Sequence, residues 1–399
     1  MKNYKVPEVL APAGSLDKLK VAISYGANAV YVGGQKFGLR TAADNFTLDE
    51  LREGVNFAHE RGAMVYVVLN SFLHDKDLLE LPEFVEFLSE IKVDAVIVSD
   101  LGVVKTVRSL SNIPVHISTQ ASTLNVESAK LWKAMGASRI VLGREVTIQE
   151  AGKIRREADI EIEMFVHGSM CMAYSGNCVI SNFTQGRDSN RGGCAHSCRF
   201  EYSLDMGLDT PEKKKAYFMS SKDLQGLRVL PEFIDVGIDS LKIEGRMKSH
   251  LYAGTMSKIY SEALNFYAEH GNFLSDKLVE WEAELGKVSH RTYTEASLVV
   301  PAQSDSIFNE RENADTEWQM VGTVVEASVK SGIVLEVRNA FNQGDELEII
   351  PFKGAPILVK THEMMDLKMR PVERTKPSTL VKLPFIEGVE SMLLVRQKR

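Results

Sequence analysis

The sequence predicts an α/β protein: a (β/α)8 TIM-like barrel with a cysteine-bearing insertion after strand seven, followed by a small C-terminal β-barrel domain. Short β-branched segments alternate with amphipathic helical segments over the first 250 residues. The β-branched segments are apolar on both faces, as expected for parallel strands that helices cover. Beyond residue 316 the pattern changes to short alternating strands, which indicates a second, all-β unit.

Eight segments have the length and composition of barrel strands, which matches the usual size of a (β/α)8 fold. They are Glu8–Ala11, Ala29–Val32, Met64–Leu69, Ala95–Ser99, Val115–Ser118, Arg139–Leu142, Glu161–Val166 and Ser240–Ile243. A further run, Tyr217–Ser220, is a candidate extra strand within the insertion. A doubly wound open sheet is the alternative, but no Gly-x-Gly-x-x-Gly follows the first strand.

Sequence patterns typical of helix N-termini occur between these strands. Thr47 and Thr147 each precede a glutamate by three residues, which is the pattern of a capping box. The first of these helices is predicted over 47–61, ending at Gly62. Further helical pattern covers 250–270 and 278–285.

A chain of 399 residues exceeds a comfortable single core, so one large and one small domain are expected. The predicted division is a barrel over 1–300, a linker over 301–315 and a β-domain over 316–399. Six short strands are predicted in the β-domain: Gly322–Ala327, Gly332–Val337, Asp345–Ile350, Ile357–Thr361, Thr379–Leu383 and Ser391–Val395.

The net charge of −7 is not typical of a nucleic-acid-binding protein, but the charge is uneven. Residues 351–399 carry ten Lys and Arg against five Asp and Glu, which leaves −12 on residues 1–350. A basic segment can steer a polyanion, but on charge alone an ordinary solvated surface is the favoured interpretation. The start of the chain lacks a signal-peptide pattern, and no apolar run could span a bilayer, so we expect a cytoplasmic protein without membrane contact.

All four cysteines lie within 28 residues, at Cys171, Cys178, Cys194 and Cys198. Cysteines that act as small core hydrophobes would be scattered over many elements. The surrounding segment is rich in glycine, serine and asparagine, which indicates a loop that can fold around a metal. We therefore interpret the segment as a four-cysteine metal site.

The spacing leaves the kind of metal open. Gaps of six, fifteen and three residues suit tetrahedral zinc poorly, because zinc sites usually use Cys-x2-Cys turns. An iron–sulfur cluster offers several metal corners and tolerates wider gaps. Zinc, disulfides and inert thiols remain alternatives, although disulfides are rare in a reducing cytoplasm.

Polar residues follow several predicted strands, where barrel enzymes place their working side chains. Arg40, Arg144 and Arg246 could together bind a small polycarboxylate, since guanidinium and carboxylate form paired hydrogen bonds. Ordinary rim ion pairs, with Glu244 or near Glu145, are the alternative. His167 and Glu244 are the catalytic candidates; His167 is also interpretable as a donor near the metal or as a buried, satisfied histidine. Asn70 and Gln120 also follow strands.

Protease signatures are mostly absent from the sequence. There is no Gly-x-Ser-x-Gly elbow, and the segment from His362 to Asp366 lacks the second histidine of His-Glu-x-x-His.

Longer motifs do match a known family. The chain resembles peptidase family U32, the collagenase-like peptidase family, in segments FVHGSMCMAYSGNC (165–178), RGGC (191–194), CR (198–199), LKIEGRMK (241–248), EVLAPAG (8–14), AVYVGG (29–34) and FGLR (37–40).

The resemblance to this family implies an activity, a cofactor and partners that the residues alone do not. The family includes prephenate-dependent RNA hydroxylation proteins with a four-cysteine [4Fe-4S] cluster, and the sequence resembles the branch that forms 5-hydroxyuridine at the tRNA wobble position. It implies Cys171, Cys178, Cys194 and Cys198 as cluster ligands, and tRNA and prephenate as partners, with a homologous family member as a further candidate partner. The three arginines would then bind prephenate. A U32-type peptidase is the alternative function.

Overall fold

The computed structural model describes residues 5–39, 44–204, 214–303 and 316–399. Arg40 and residues 304–315 of the predicted linker lie outside the described residues. Before the linker the strands are β1 (Glu8–Pro12), β2 (Ala29–Val32), β3 (Met64–Leu69), β4 (Ala95–Val98), β5 (Val115–Ile117), β6 (Arg139–Val141), β7 (Glu161–Ser169), β8 (Tyr202–Leu204), β9 (Lys214–Ala216), β10 (Asp223–Gln225), β11 (Ser240–Ile243) and β12 (Tyr293–Thr294).

Strands β1 to β7 and β11 form a closed parallel barrel. They are hydrogen-bonded in chain order, and β11 closes the ring by pairing with both β1 and β7. At the closure Ser240 is in register with Glu8 on one side and Glu163 on the other. The eight predicted barrel strands and the TIM-like topology are therefore confirmed.

Helices cover the outside of the barrel. They are α1 (Leu16–Ser24), α2 (Leu48–His59), α3 (Asp75–Leu78), α4 (Leu81–Glu90), α5 (Leu101–Leu110), α6 (Val126–Ala134), α7 (Ile148–Ala158), α8 (Ile180–Gln185), α9 (Leu230–Val236), α10 (His250–His270) and α11 (Ser275–Leu285). Both predicted capping boxes are present, at Thr47 and Thr147. In α2, Leu51, Val55 and Ala58 are buried, as the spacing predicts. No helix in the described ranges has both the length and the apolar character needed to cross a bilayer.

The insertion between β7 and β11 is built mainly from short pieces. It contains α8, two turns of 3-10 helix at Ser189–Arg191 and Ser197–Arg199, and the antiparallel pair β8–β9. Strand β10 then pairs antiparallel with the end of β7, and β12 pairs with β10. The predicted extra strand at Tyr217–Ser220 is wrong, because this segment forms a turn between β9 and β10.

The C-terminal domain is a six-stranded antiparallel half-barrel. Its strands are β13 (Trp318–Ser328), β14 (Gly332–Val337), β15 (Glu346–Ile350), β16 (Ile357–Lys360), β17 (Leu380–Leu383) and β18 (Leu394–Lys398). Their order in the sheet is β16-β15-β18-β13-β14-β17. All six correspond to predicted strands, and their inward apolar residues form a core of their own.

Two buried polar side chains join the domains. The Tyr25 hydroxyl donates to the Ile350 carbonyl oxygen (2.6 Å) and accepts from the Leu394 N–H (2.9 Å). Arg396 is fully buried and donates to Glu348 of its own domain and to Glu284 of α11, both at 2.7 Å. The half-barrel is therefore attached to the helical shell by a specific, desolvated joint.

Candidate active site at the carboxyl end of the barrel

A cavity of about 230 Å³ opens at the carboxyl ends of the barrel strands. Its floor includes Tyr31, Val68, Ile97 and Val141 from the strands, and its walls come from the loops that follow them. The insertion covers one side. This is the end of the barrel at which TIM-like enzymes place their chemistry, because the loops there can vary without disturbing the sheet.

All four cysteines border this cavity. Cys171 is exposed, and Cys178, Cys194 and Cys198 are half-buried, free thiols. Burial raises the pKa of Cys198; the neighbouring Arg199 opposes this, whereas the other three thiols add to it, so the four sulfur atoms share one neighbourhood. Within the described residues, no three His, Cys, Asp or Glu side chains are arranged as ligands of one metal ion. Four thiols that border one cavity match an iron–sulfur cluster in the kind and number of their donor atoms.

Hydrogen bonds from side chains fix the cysteine loops. Glu145 accepts the Ser175 N–H at 3.0 Å, and Asn190 donates to the Cys178 carbonyl oxygen at 3.0 Å. Gly176 has a φ of +80°, and a Cβ there would lie 2.1 Å from the Gln120 carbonyl oxygen, so only glycine fits. Glu145, which the sequence places at the rim, thus holds the loop between the first two cysteines.

Two of the three predicted arginines meet at the cavity; the third, Arg40, lies outside the described residues. The Arg144 guanidinium stacks 3.7 Å from the centre of the Phe165 ring, with Nη2 3.8 Å from a Glu244 carboxylate oxygen. Arg246 is 4% exposed and lies directly over Gly33. A Cβ on Gly33 would be 2.0 Å from Nη1 of Arg246, so this glycine makes room for the guanidinium.

The two catalytic candidates occupy different places. Glu244 borders the cavity beside Arg144. His167 is fully buried behind the wall, where Nδ1 lies 3.0 Å from the Tyr260 hydroxyl. Burial lowers the pKa of His167 to about 3, although Asp223 opposes the shift, so the ring is neutral at physiological pH. The His167 carbonyl oxygen accepts the Glu244 N–H at 2.9 Å, which ties the two positions together through the backbone.

Three further cations at the cavity were missed by sequence reasoning. Lys242 points into the barrel and pairs with Glu163 at 2.7 Å. Arg199 donates to the carbonyl oxygens of Met170 and Ser221. Lys248 donates to the Ser289 carbonyl oxygen at 3.0 Å, and burial, together with Arg291 and Arg199, lowers its pKa, with Asp223 opposing. Arg199 and Lys248 both lie inside the family-like motifs, which is the signal that could have identified them.

The cavity wall is electropositive. Its charged side chains in the described residues are five cations, Arg144, Arg199, Lys242, Arg246 and Lys248, and one carboxylate, Glu244. Buried cations need compensating charge. A small anion with more than one carboxylate would supply it.

Two carboxamides complete the polar lining. Asn70, which follows β3, donates to Ser118 Oγ at 3.3 Å, and Gln120 follows β5. The amide oxygens of Asn70 and Gln120 are buried and accept no hydrogen bond from any part of the chain that the structure describes. Buried acceptors without donors are costly, so a bound molecule with N–H or O–H groups would stabilise them.

Comparison with known proteins identifies the family. The family model described as "Peptidase family U32" matches residues 14–306, and "Peptidase family U32 C-terminal domain" matches residues 316–396. The protein class that the barrel and its cysteine insertion define is therefore clear, and the chain belongs to peptidase family U32.

Curated relatives resemble the chain over most of its length. It is 43% identical to tRNA hydroxylation protein P1 of Bacillus subtilis over 368 residues, covering 90% of this chain and 86% of the relative. It is 32% identical to tRNA hydroxylation protein P of Escherichia coli, covering 87% of each chain. A relative named collagenase, from Porphyromonas gingivalis, is 26% identical and covers 96% of this chain and 95% of its own.

Proposed function

We propose that this protein hydroxylates tRNA, forming 5-hydroxyuridine at the wobble position with prephenate as the hydroxyl donor and a [4Fe-4S] cluster as cofactor. The observation that carries the proposal is the single cavity that brings four thiols together with five cations. Relatives named tRNA hydroxylation proteins, which match the chain over both domains, support the choice of substrate.

Cys171, Cys178, Cys194 and Cys198 would hold the cluster, which supplies electron-transfer chemistry when bound. The chain's own residues bind and orient the other components. Arg144 and Arg246 bind the two carboxylates of prephenate through paired hydrogen bonds, and Arg40 is proposed as a third contact. Arg144 is prepared for this because Phe165 fixes the plane of its guanidinium and its Nε is buried without an acceptor among the described residues.

Glu244 is the proposed group for proton transfer, since its carboxylate borders the cavity beside Arg144. His167 lies behind the wall, and we propose that it supports Glu244 through the backbone hydrogen bond rather than by contact with substrate. Asn70 and Gln120 offer buried amide oxygens that can accept the N3–H of uracil, a donor that an apolar ligand lacks.

The C-terminal domain is proposed to contact the RNA backbone. Lys353, Lys360, Lys368, Arg374 and Lys376 are exposed on it. Contacts between lysine or arginine and phosphate provide affinity that falls steeply with salt concentration. Charge reversal at Lys368, Arg374 and Lys376 should therefore weaken tRNA binding and flatten its salt dependence, while the joint at Arg396 stays intact.

The decisive experiment compares tRNA nucleosides by mass spectrometry from cells with and without this protein. Loss of 5-hydroxyuridine derivatives on deletion, and their return with the parent gene, is the expected result. Purified, anaerobically prepared protein should then form the nucleoside on unmodified tRNA only when prephenate is added. An unchanged nucleoside profile would overturn the proposal.

A peptidase is the second candidate, favoured by the relative named collagenase. The same protein preparation, incubated with gelatin and with a fluorogenic peptide library, tests it directly. Cleavage that survives mutation of the four cysteines and needs no prephenate would support the peptidase; the tRNA proposal predicts none.

A further inference from the structure

Exposed aromatic rings are concentrated in the segments that line the cavity or adjoin its lining residues. In the described part of the chain, five Phe, Tyr and Trp side chains are more than about a third exposed, and one of these, Phe385, is in the C-terminal domain. The other four are Phe72, Tyr174, Phe183 and Phe200, here called the aromatic rim. Tyr174 is 63% exposed and Phe183 is 92% exposed. Single exposed apolar residues are common, but a group of large rings at one site marks an interaction surface.

Each residue of the rim lies in the insertion that carries the cysteines or in a loop bonded to it. Tyr174 itself borders the cavity. Phe183 lies on α8, and the next residue, Thr184, donates to Ser197 Oγ at 2.7 Å, directly beside Cys198. Phe200 follows the turn that contains Cys198. The Phe72 N–H donates to the Asn190 carbonyl oxygen at 2.9 Å, which brings the loop after β3 against the insertion. The four rings therefore lie on the cysteine-bearing insertion or on the loop that is hydrogen-bonded to it, and Tyr174 reaches the cavity itself.

Charge limits what this surface can bind. The cavity that Tyr174 borders has five cations against one carboxylate, and exposed Arg187 lies two residues after the end of α8. The partner must therefore offer flat apolar faces together with negative charge. Single-stranded nucleic acid has both, because unpaired bases stack on aromatic side chains and the backbone phosphates are anionic. A duplex hides its base faces and fits less well.

We infer that the aromatic rim binds the unpaired bases of an RNA loop, with Tyr174 stacking on the base that enters the cavity and Phe183 and Phe200 supporting its neighbours. The inference rests on the proposed function and specifies how the RNA is recognised. Stacking tolerates any base, so the rim supplies affinity and orientation, whereas the carboxamides inside the cavity distinguish the reacting base.

Affinity measurements on single variants test the rim. A labelled anticodon stem–loop RNA is titrated with the parent, Tyr174→Ala, Phe183→Ala and Tyr174→Phe, and binding is followed by fluorescence anisotropy. Each alanine variant should raise Kd by about 5- to 150-fold, which is the usual effect of losing one base–aromatic stack. Tyr174→Phe keeps the ring and should bind like the parent. Leu131→Ala is the matched control, because Leu131 is 62% exposed on α6, away from the cavity lining.

Melting temperature and visible absorbance of each variant show whether fold and cofactor are preserved. If the parent neither binds nor hydroxylates the RNA, the proposed function itself fails. If the parent does both and the alanine variants bind equally well, the rim inference is overturned. Altered self-association in sedimentation, with unchanged RNA affinity, would assign the rim to protein contact instead.

Discussion

The two ends of the barrel differ in how their buried charged side chains are paired. At the amino end, Arg139 pairs with Glu8 (2.8 Å), Glu161 (3.0 Å) and Glu163 (3.5 Å), and Glu163 also pairs with Lys242. At the carboxyl end, Arg199 and Lys248 donate to backbone carbonyl oxygens, and cations outnumber carboxylates. Cations with carboxylate partners stabilise the fold, whereas the proposed function assigns the excess cations at the carboxyl end to an anionic substrate. On this proposal, the two ends separate structural charge from functional charge within one barrel.

The largest expected effect is at the carboxyl end. Serine in place of Cys171, Cys178, Cys194 or Cys198 removes one of the proposed thiolate ligands, so cluster absorbance and tRNA hydroxylation should both be lost almost completely. The anaerobically purified parent should be brown and contain about four iron and four sulfide per chain. The far-ultraviolet circular dichroism of the variants should stay that of the parent, because the barrel does not depend on the insertion. Stoichiometric zinc in a colourless parent would contradict the cluster.

Mutation of Arg139 at the amino end of the barrel should change the stability of the protein rather than its activity. Arg139→Met leaves the buried carboxylates of Glu8 and Glu163 with one cation fewer, which should lower the free energy of unfolding by about 3–5 kcal/mol. Urea denaturation measures this loss. Hydroxylation per folded molecule should remain near the parental value, since Arg139 does not border the cavity. Reduced turnover with unchanged stability would show that the distinction between the two ends is wrong.

Mutation of the cavity arginines should change the affinity for prephenate rather than the stability of the protein. Arg144→Ala or Arg246→Ala removes one of the proposed charge-assisted contacts to prephenate, which should cost about 1.5–3 kcal/mol, or about a 10- to 150-fold rise in Kd. Lysine at either position keeps the charge but loses the paired geometry, so it should rescue only in part. Calorimetric titration of prephenate measures the effect, with Arg40→Ala in the same series. Parental affinity in all three alanine variants would exclude the arginine site.

The smallest effect concerns pH and the buried His167. Its pKa is about 3 in the folded protein against an ordinary 6.5, so between these values the unfolded chain binds more protons. This contribution to stability is complete above pH 6.5 and is lost as the pH falls. Between pH 6 and pH 4 the free energy of unfolding of the parent should fall by about 1.4 kcal/mol per pH unit more than that of His167→Asn. Urea midpoints across this range measure the slopes, and equal slopes would mean that His167 protonates in the folded state.

The sequence predicts the regular parts of this molecule well. Strands that are buried on both faces must be continuous apolar runs. The segment from Val65 to Leu69 of β3 can therefore be predicted as a strand without knowledge of the strands beside it. The common location of the four cysteines is also readable, because their clustering is a property of the chain alone. The structure places all four at one cavity, and both the metal site and the cluster stay predictions.

Features that depend on strand register were not predictable. Lys242 looks like an interruption of an apolar strand until its pairing places it against Glu163, 79 residues earlier in the chain. His167 follows Phe165 by two residues and should share its face, but the register between β7 and β11 shifts at this point, with Phe165 opposite Lys242 and His167 opposite Ile243. Phe165 therefore lines the cavity and His167 does not.

The joint at Tyr25 has a consequence for synthesis of the protein. Its hydroxyl bonds to residues 325 and 369 positions later in the chain. During synthesis, the barrel helices therefore leave the ribosome long before Ile350 and Leu394 have been made. Tyr25 at the end of α1 stays uncovered until Leu394 emerges. Contacts between such distant segments form late and leave apolar surface open to chaperones and proteases in the meantime. A product that stops short of β18 therefore lacks the Leu394 N–H that Tyr25 accepts and leaves this part of the helical shell uncovered.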